Sequence, residues 1–225
     1  MIELERRDEV FLLQMTAGDN RFNPTSLAAW HAALDEIEAS EGAAALVTTG
    51  TGKFYSNGLD LDWMGAQPPE DAASTGAMVS DVIKLLGRVL AFPMYTVAAI
   101  NGHAFAAGAM LALAHDTRVM RTDRGYLCLP EVDLGMPLAP GMTAIINARL
   151  SAQVAHEAIV TGRRFPADEC LVKGIVDAVA PEDEVLRDAV ALALPQAGKD
   201  RAGIGVLKRG LYADVLPILA EGALP

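Results

Sequence analysis

Two glycine-rich turns and one carboxylate are the residues of this chain whose types and spacing could do chemistry. Residues 54–61 (FYSNGLDL) and 101–108 (NGHAFAAG) each lie where an expected strand leads into an expected helix. The first N–H groups of a helix have no intrahelical acceptor, so two such turns can aim backbone donors at one point and form an oxyanion hole. Glu131 lies among apolar residues in the segment 129–135 (LPEVDLG), which makes it a candidate acid–base group.

Other catalytic motifs are incomplete in this sequence. A phosphate-binding loop at residues 50–53 (GTGK) would need glycine at position 47, which is Val, and Ser or Thr at position 54, which is Phe. His156 and Glu157 begin a zinc-peptidase pattern, but the second His would fall at Val160. No serine lies in a GxSxG motif. The four histidines show no ligand spacing, so we expect no metal site.

The composition is that of a folded, acidic protein. Of the 225 residues, 52% are hydrophobic, and 18 Lys+Arg against 29 Asp+Glu give a formal net charge of −11. A disordered chain has low apolar content, so this one should pack, and its length favours one α/β domain with an appendage. Nucleic-acid binding needs clustered Lys and Arg, so we expect no such partner. Cys128 and Cys170 stand far apart, which indicates a reduced, cytoplasmic protein without a disulfide framework.

The elements that would position the turns and the carboxylate follow from apolar periodicity. Alternating apolar residues around Arg7-Asp8 predict an opening hairpin. Residues 89–115 lack Asp, Glu, Lys and Arg, but Pro93 and the sequence 101–103 (NGH) interrupt them, so a strand, a turn and a buried helix are favoured over a membrane span. Thr25 or Ser26 is predicted to cap a helix that buries Leu27, Trp30, Leu34 and Ile37. Further strands are predicted at 43–48, 95–100, 118–120 and 126–129, and further helices at 75–90 and 106–114, with an exposed connection at 66–74. After residue 143 we predict mostly helices, with starts near Ser151 and Ala167.

Strand–helix alternation with buried strands predicts βαβ units around a largely parallel sheet. The segments 54–61, 101–116 (NGHAFAAGAMLALAHD) and 129–138 (LPEVDLGMPL) resemble, in order and spacing, those of the enoyl-CoA hydratase/isomerase (crotonase) family. The resemblance implies an α/β spiral of ββα units, a C-terminal helical region, and homotrimers or dimers of trimers. It also implies an acyl-CoA substrate whose thioester oxygen lies between the N–H groups of Leu59 and Ala107. Coenzyme A would then be part of the substrate, and no separate cofactor is implied.

The residues that differ from the family patterns narrow the expected reaction. Family hydratases carry a second Glu where this chain has Met110, and dienoyl-CoA isomerases carry Asp at the positions of Met110 and Ala139. A lone carboxylate at Glu131 resembles the Δ3,Δ2-enoyl-CoA isomerases. Such an enzyme needs one base to move a proton from C2 to C4 on one face, whereas adding water calls for a second group. Apolar neighbours are expected to raise the Glu131 pKa, namely Leu129, Val132, Leu134 and Met136.

Two alternatives stay open: other crotonase chemistry, such as acyl-CoA hydrolysis or decarboxylation, and acyl-CoA binding without turnover.

We expect a spiral core at residues 1–180 and a shortened helical region at 181–225, in which Pro195, Gly203 and Gly205 interrupt the helical signal. Asp60 is expected to cap a helix, Asp133 to be structural, and Lys208 to contact the CoA phosphates. The expected substrate-binding residues are Ser56, Asn57, Gly58, Asp60, Met64, Gly108, Met110, Leu134, Met136 and Lys208.

Overall fold

Two β-sheets form the frame of the molecule. The computed structural model describes residues 1–225 apart from the side chain of Pro69. The first two strands pair antiparallel as the predicted hairpin, and the other pairings of both sheets are parallel. The larger sheet has the order β1 (Ile2–Arg7), β2 (Val10–Met15), β3 (Ala45–Gly50), β5 (Tyr95–Ile100), β7 (Thr117–Arg121) and β9 (Ala178–Ala180), and the smaller has the order β4 (Phe54–Ser56), β6 (His103–Phe105) and β8 (Leu127–Cys128).

The chain winds through both sheets as a spiral. Each of three consecutive turns adds one strand to the larger sheet, then one to the smaller sheet, and then enters helix, which confirms the predicted ββα units. The helices are α1 (Pro24–Ala39), α2 (Leu61–Gly65), α3 (Ala72–Leu90), α4 (Ala107–Ala114), α5 (Glu131–Leu134), α6 (Pro140–Arg149), α7 (Ala152–Thr161), α8 (Ala167–Val172), α9 (Val185–Ala193), α10 (Arg201–Leu211) and α11 (Leu216–Glu221).

Helix starts agree with the sequence in part. The starts predicted near Ser151 and Ala167 are confirmed, since Ser151 caps α7 and α8 begins at Ala167, but the predicted cap of α1 by Thr25 or Ser26 is wrong. Asn23 caps α1 instead, with its side chain accepting from the Ser26 N–H and the Ser26 hydroxyl accepting from the Asn23 N–H. The reason is the intervening proline, which favours the first helical position and leaves the cap to the residue before it. Among the described residues, no helix is long and apolar enough to cross a membrane.

The larger sheet is covered on both faces. One face packs with α1, α3, α4 and α6 in the main core, while α9 covers β3, β5 and β7 on the other. Residues after 181 therefore share a core with the residues before them, and the boundary at 180 stays a prediction. The predicted break at Gly203 and Gly205 is wrong, because both lie inside α10. Gly205 allows close packing there, since a Cβ atom on it would lie 3.2 Å from Pro93 Cβ.

Candidate active site

The two glycine-rich turns and Glu131 all follow strands of the smaller sheet. Leu59 comes three residues after β4, Ala107 two residues after β6, and Glu131 three residues after β8. These strands are parallel, so their carboxyl ends meet at one edge of the sheet. Each turn of the spiral thus places one candidate group at the same edge of the smaller sheet.

The turn after β4 is held by buried hydrogen bonds. The Ser56 hydroxyl donates to the Asn20 carbonyl (2.7 Å) and accepts from the Gly58 N–H (3.3 Å). Phe22 pairs with the backbone on either side of Leu59: its N–H donates to the Gly58 carbonyl and its carbonyl accepts from the Asp60 N–H. The Leu59 N–H between them donates to no acceptor among the described residues.

The turn after β6 contains a strained residue. Ala106 has φ 51° and ψ −126°, a conformation that costs a non-glycine residue about 1–3 kcal/mol. Its own N–H donates to the Cys128 carbonyl (3.0 Å), and its carbonyl accepts from the Ala109 and Met110 N–H groups of α4. Ala107, as the first residue of α4, has a backbone N–H without an acceptor in the part of the chain that the structure describes.

The two turns touch, and glycine makes that contact possible. Gly58 has φ 77°, and a Cβ atom on it would lie 2.9 Å from Ala106 Cβ and 3.2 Å from the Ala107 nitrogen. A Cβ atom on Gly108 would lie 2.3 Å from the Ser56 carbonyl oxygen. The backbones carrying the Leu59 and Ala107 donors are therefore neighbours, as an oxyanion hole requires.

Both turns open into one cavity of about 680 Å³, which is large enough for a drug-sized ligand. Glu131, Leu59 and Ala107 all line it. The other lining residues are Arg21, Asn57, Leu61, Asp62, Ala72, Thr75, Gly76, Val79, Phe105, Ala106, Cys128, Pro130, Asp133, Leu134, Met136, Pro137, Ala139, Met142, Gly162, Arg164, Leu224 and Pro225.

Glu131 places a carboxyl group with one unpaired oxygen in the wall of this cavity. It opens the short helix α5, and its Oε2 atom is buried without a hydrogen-bond partner among the described residues. Burial raises the pKa of Glu131 above its ordinary value, while a backbone hydrogen bond opposes the shift. The predicted direction is confirmed. The expected apolar surroundings are only partly right: Leu134 and Met136 line the cavity, whereas Val132 lies outside the lining and Leu129 is buried in the main core.

Among the expected substrate-binding residues, Asn57, Leu134 and Met136 lie at the cavity. Asp60 caps α2 as predicted, because its carboxylate accepts from the Trp63 N–H. Met110 is fully buried inside α4 and does not line the cavity. The remaining residues support the two turns or pack behind them, and a contact with substrate stays a prediction for each: Ser56, Gly58, Met64 and Gly108.

The structure corrects the expectation for Lys208. Its ammonium group is buried and donates to the Met94 carbonyl (2.9 Å), and it pairs with Asp116 at 2.6 Å. Burial lowers the Lys208 pKa despite that carboxylate. A cation engaged in the interior is not free to meet a CoA phosphate. The amphipathic period of α10 turns Lys208 inward, which a basic pair in the sequence does not reveal.

Several cavity residues were missed by sequence reasoning. Arg21 pairs with Asp19 and Asp62, and Arg164 lies over the Phe105 ring at 5.6 Å. Cys128 is a thiol rather than a thiolate, because burial raises its pKa to about 11. The stripe 72, 75, 76 and 79 has helical spacing on α3, but its first residue falls in the connection predicted at 66–74, which is wrong in its last residues because α3 begins at Ala72. In the described part of the chain, no group of three or more His, Cys, Asp or Glu could hold a metal ion.

Comparison with known proteins agrees with this architecture. The family model described as enoyl-CoA hydratase/isomerase matches residues 5–222. The chain is 35% identical to "Enoyl-CoA delta isomerase 3" of Arabidopsis thaliana, over 96% of this chain and 93% of that protein. It is also 35% identical to "Enoyl-CoA delta isomerase 2, peroxisomal" of the same plant, over 97% and 95% of the two chains.

A solved structure from Mycobacterium tuberculosis H37Rv, named a probable enoyl-CoA hydratase, superposes with a TM-score of 0.91 at 26% identity. The match covers 98% of this chain and 92% of that one. Family model, curated relatives and solved structure thus agree with the resemblance carried by the three segments. The chain belongs to the enoyl-CoA hydratase/isomerase family and has the crotonase fold.

Proposed function

We propose that this protein moves the double bond of a 3-enoyl-CoA to the 2-trans position. The observation that carries the proposal is the Glu131 carboxyl group, whose Oε2 atom is buried without a hydrogen-bond partner among the described residues, in the cavity that Leu59 and Ala107 also line. The delta isomerase names of the Arabidopsis relatives support the same reaction.

The proposed reaction is a proton shuttle by one residue. Glu131, as a carboxylate, takes a proton from C2, and the C–H electron pair forms an enolate whose oxygen accepts from the Leu59 and Ala107 N–H groups. The enolate electrons then form the C2–C3 double bond, and the electron pair of the former C3–C4 double bond takes the proton back from Glu131 at C4. Positioned acid–base catalysis supplies about 10²–10⁴-fold in rate, and an oxyanion donor about 3–4 kcal/mol.

Hydration of a 2-enoyl-CoA is a second candidate function. Asp133 lines the cavity together with Glu131, so a second carboxylate is present that could orient a water. Against it, Met110 occupies the position of the hydratases' other Glu, and its thioether can neither hold a water strongly nor move a proton. We therefore favour the isomerase.

A direct assay separates these functions. Purified protein is incubated with 3-enoyl-CoA, and the conjugated 2-enoyl thioester is followed by its ultraviolet absorbance. Appearance of the conjugated product supports the isomerase. Loss of absorbance from added 2-enoyl-CoA would instead show hydration, and release of free CoA would show hydrolysis. Binding of acyl-CoA without any of these changes would mark a binding subunit.

The activity should depend on pH in one direction at its acid limb. Glu131 must be ionised to take the C2 proton, and burial raises its pKa, so kcat/KM is expected to fall as pH decreases through a value above the ordinary Glu value of about 4.3. A kcat/KM profile measured from pH 4 to 9, over a range where the protein stays folded, checks this. A profile that stays flat down to pH 4.5 would contradict a buried carboxylate base.

We also propose a homotrimer, or a dimer of trimers, in a reducing cytoplasmic compartment. The first part is supported by exposed apolar side chains on α10, namely Leu207 and Leu211, which are 73% and 75% exposed. The second is supported only by the two free cysteines. No cofactor beyond the CoA of the substrate is needed for the proposed steps, and light scattering of the purified protein measures the assembly.

A further inference from the structure

The cavity has a charged region and an apolar region. Arg21, Asp62 and Arg164 belong to the charged region, and the Asp62 side chain is 88% exposed, so this region opens to solvent. The apolar region is built by the first turns of α3, by Met142 of α6, and by Leu224. An acyl-CoA held at the oxyanion hole has a polyanionic end and a hydrocarbon end. The hydrocarbon end belongs in the apolar region, because burying it there removes apolar surface from water.

A stripe of small residues on α3 forms one wall of the apolar region. Ala72, Thr75, Gly76 and Val79 lie at helical spacing on one face and all line the cavity. The gap left by the missing side chain of Gly76 is filled by Leu224, whose Cδ1 atom lies 2.9 Å from where a Cβ atom on Gly76 would be. Nearly half of Leu224 (46%) stays accessible, so a ligand in the cavity can still cover it.

The segment that carries Leu224 is fixed by close packing at three further glycines. Leu219 of α11 packs against Gly87 and Gly141, where added Cβ atoms would lie 2.9 and 3.3 Å from its side chain. Gly222 ends α11 with φ 63°, and a Cβ atom there would lie 2.4 Å from the Ser80 hydroxyl. Contacts of this kind allow little sliding of α11 on α3 and α6, so Leu224 is held at a defined position in the wall.

We propose that Leu224, packed against Gly76, ends the acyl compartment and sets the length of acyl chain that the enzyme accepts. This inference rests on the proposed function. A larger side chain at 224 shortens the compartment and a smaller one lengthens it, and neither change touches Glu131 or the two donors.

The test is a chain-length profile of three variants and the wild type. Straight-chain 3-enoyl-CoAs from six to sixteen carbons are assayed for kcat/KM, and the matching saturated acyl-CoAs are titrated for Kd. Leu224→Ala is expected to move both profiles to longer chains, with a gain of about fourfold for each methylene newly buried. Leu224→Trp is expected to move them to shorter chains. Leu192→Ala, a partly exposed site on α9 across the larger sheet, is the control and should leave both profiles in place.

The outcomes separate this proposal from the isomerase proposal. If acyl-CoAs bind and react but neither Leu224 variant shifts either profile while melting remains cooperative, Leu224 does not end the compartment and the isomerase proposal stands. If acyl-CoAs bind with shifted length profiles but no 3-enoyl-CoA reacts, the compartment is correct and the isomerase is not. Absence of acyl-CoA binding at every length would overturn both.

Discussion

Glu131→Gln should reduce kcat for 3-enoyl-CoA isomerisation by about 10²–10⁴-fold, because the amide cannot take a proton from C2. The substitution keeps the shape of the side chain, so Kd for a saturated acyl-CoA should change little. Steady-state kinetics and a binding titration measure the two effects. Glu36→Gln, at an exposed position of α1, is the matched control and should change neither. A Glu131→Gln protein with near wild-type kcat would exclude Glu131 as the base.

The same substitution should stabilise the fold, in a way that depends on pH. The pKa of Glu131 is raised in the folded state, so the unfolded state binds fewer protons between the two pKa values. The stability that the protonated Glu131 carboxyl group contributes is therefore complete below the unfolded pKa. It is lost as pH rises through the folded pKa, because the ionised carboxylate is less stable in the fold than in water. The gain in Tm of Glu131→Gln should be present at pH 8, about 2–4 °C for each kcal/mol, and disappear near pH 4. Thermal melts at the two pH values measure it.

Gly108→Ala is expected to damage both the fold and the site. The new Cβ atom would lie 2.3 Å from the Ser56 carbonyl oxygen and 2.7 Å from its carbonyl carbon, so backbone must move. We expect a loss of several kcal/mol, which lowers Tm by about 6 °C or more, and a decrease in kcat/KM of at least about 10²-fold as the donors separate.

The matched control for this glycine is Gly210→Ala in α10. No atom lies within 4 Å of the position where its Cβ would be, and its φ is not positive. Alanine in a helix interior is favoured over glycine by about 0.5–1 kcal/mol, so Tm should hold or rise. If Gly108→Ala melts and reacts like Gly210→Ala, the contact between the turns does not fix the donors.

The candidate groups of the site could be located in the sequence because each lies in a local feature of the chain. Gly58 and Gly108 mark strand-to-helix turns and Glu131 lies in a mostly apolar segment, while the order and spacing of the three segments, through their resemblance to a family, single out these residues together. The wall of the cavity, by contrast, is built from contacts between residues that are distant in the chain. Leu224 meets Gly76 only because α11 packs on α3, a contact between residues 148 positions apart that no period in the sequence encodes. The expectation that Lys208 meets the CoA phosphates is wrong for a related reason, since the carboxylate with which it pairs, that of Asp116, is distant in the chain.

Because the smaller sheet carries one of the three candidate groups after each of its strands, its register sets the distances on which the proposed reaction depends. Successive residues of a strand are about 3.3 Å apart, so a slip of β6 by one residue would displace the Ala107 N–H by about that distance relative to the Leu59 N–H. That displacement is longer than a hydrogen bond, so one thioester oxygen could no longer accept from both N–H groups. The pairing of these two- and three-residue strands thus fixes the spacing of the two N–H groups. Changes that loosen this pairing should lower turnover before they unfold the protein.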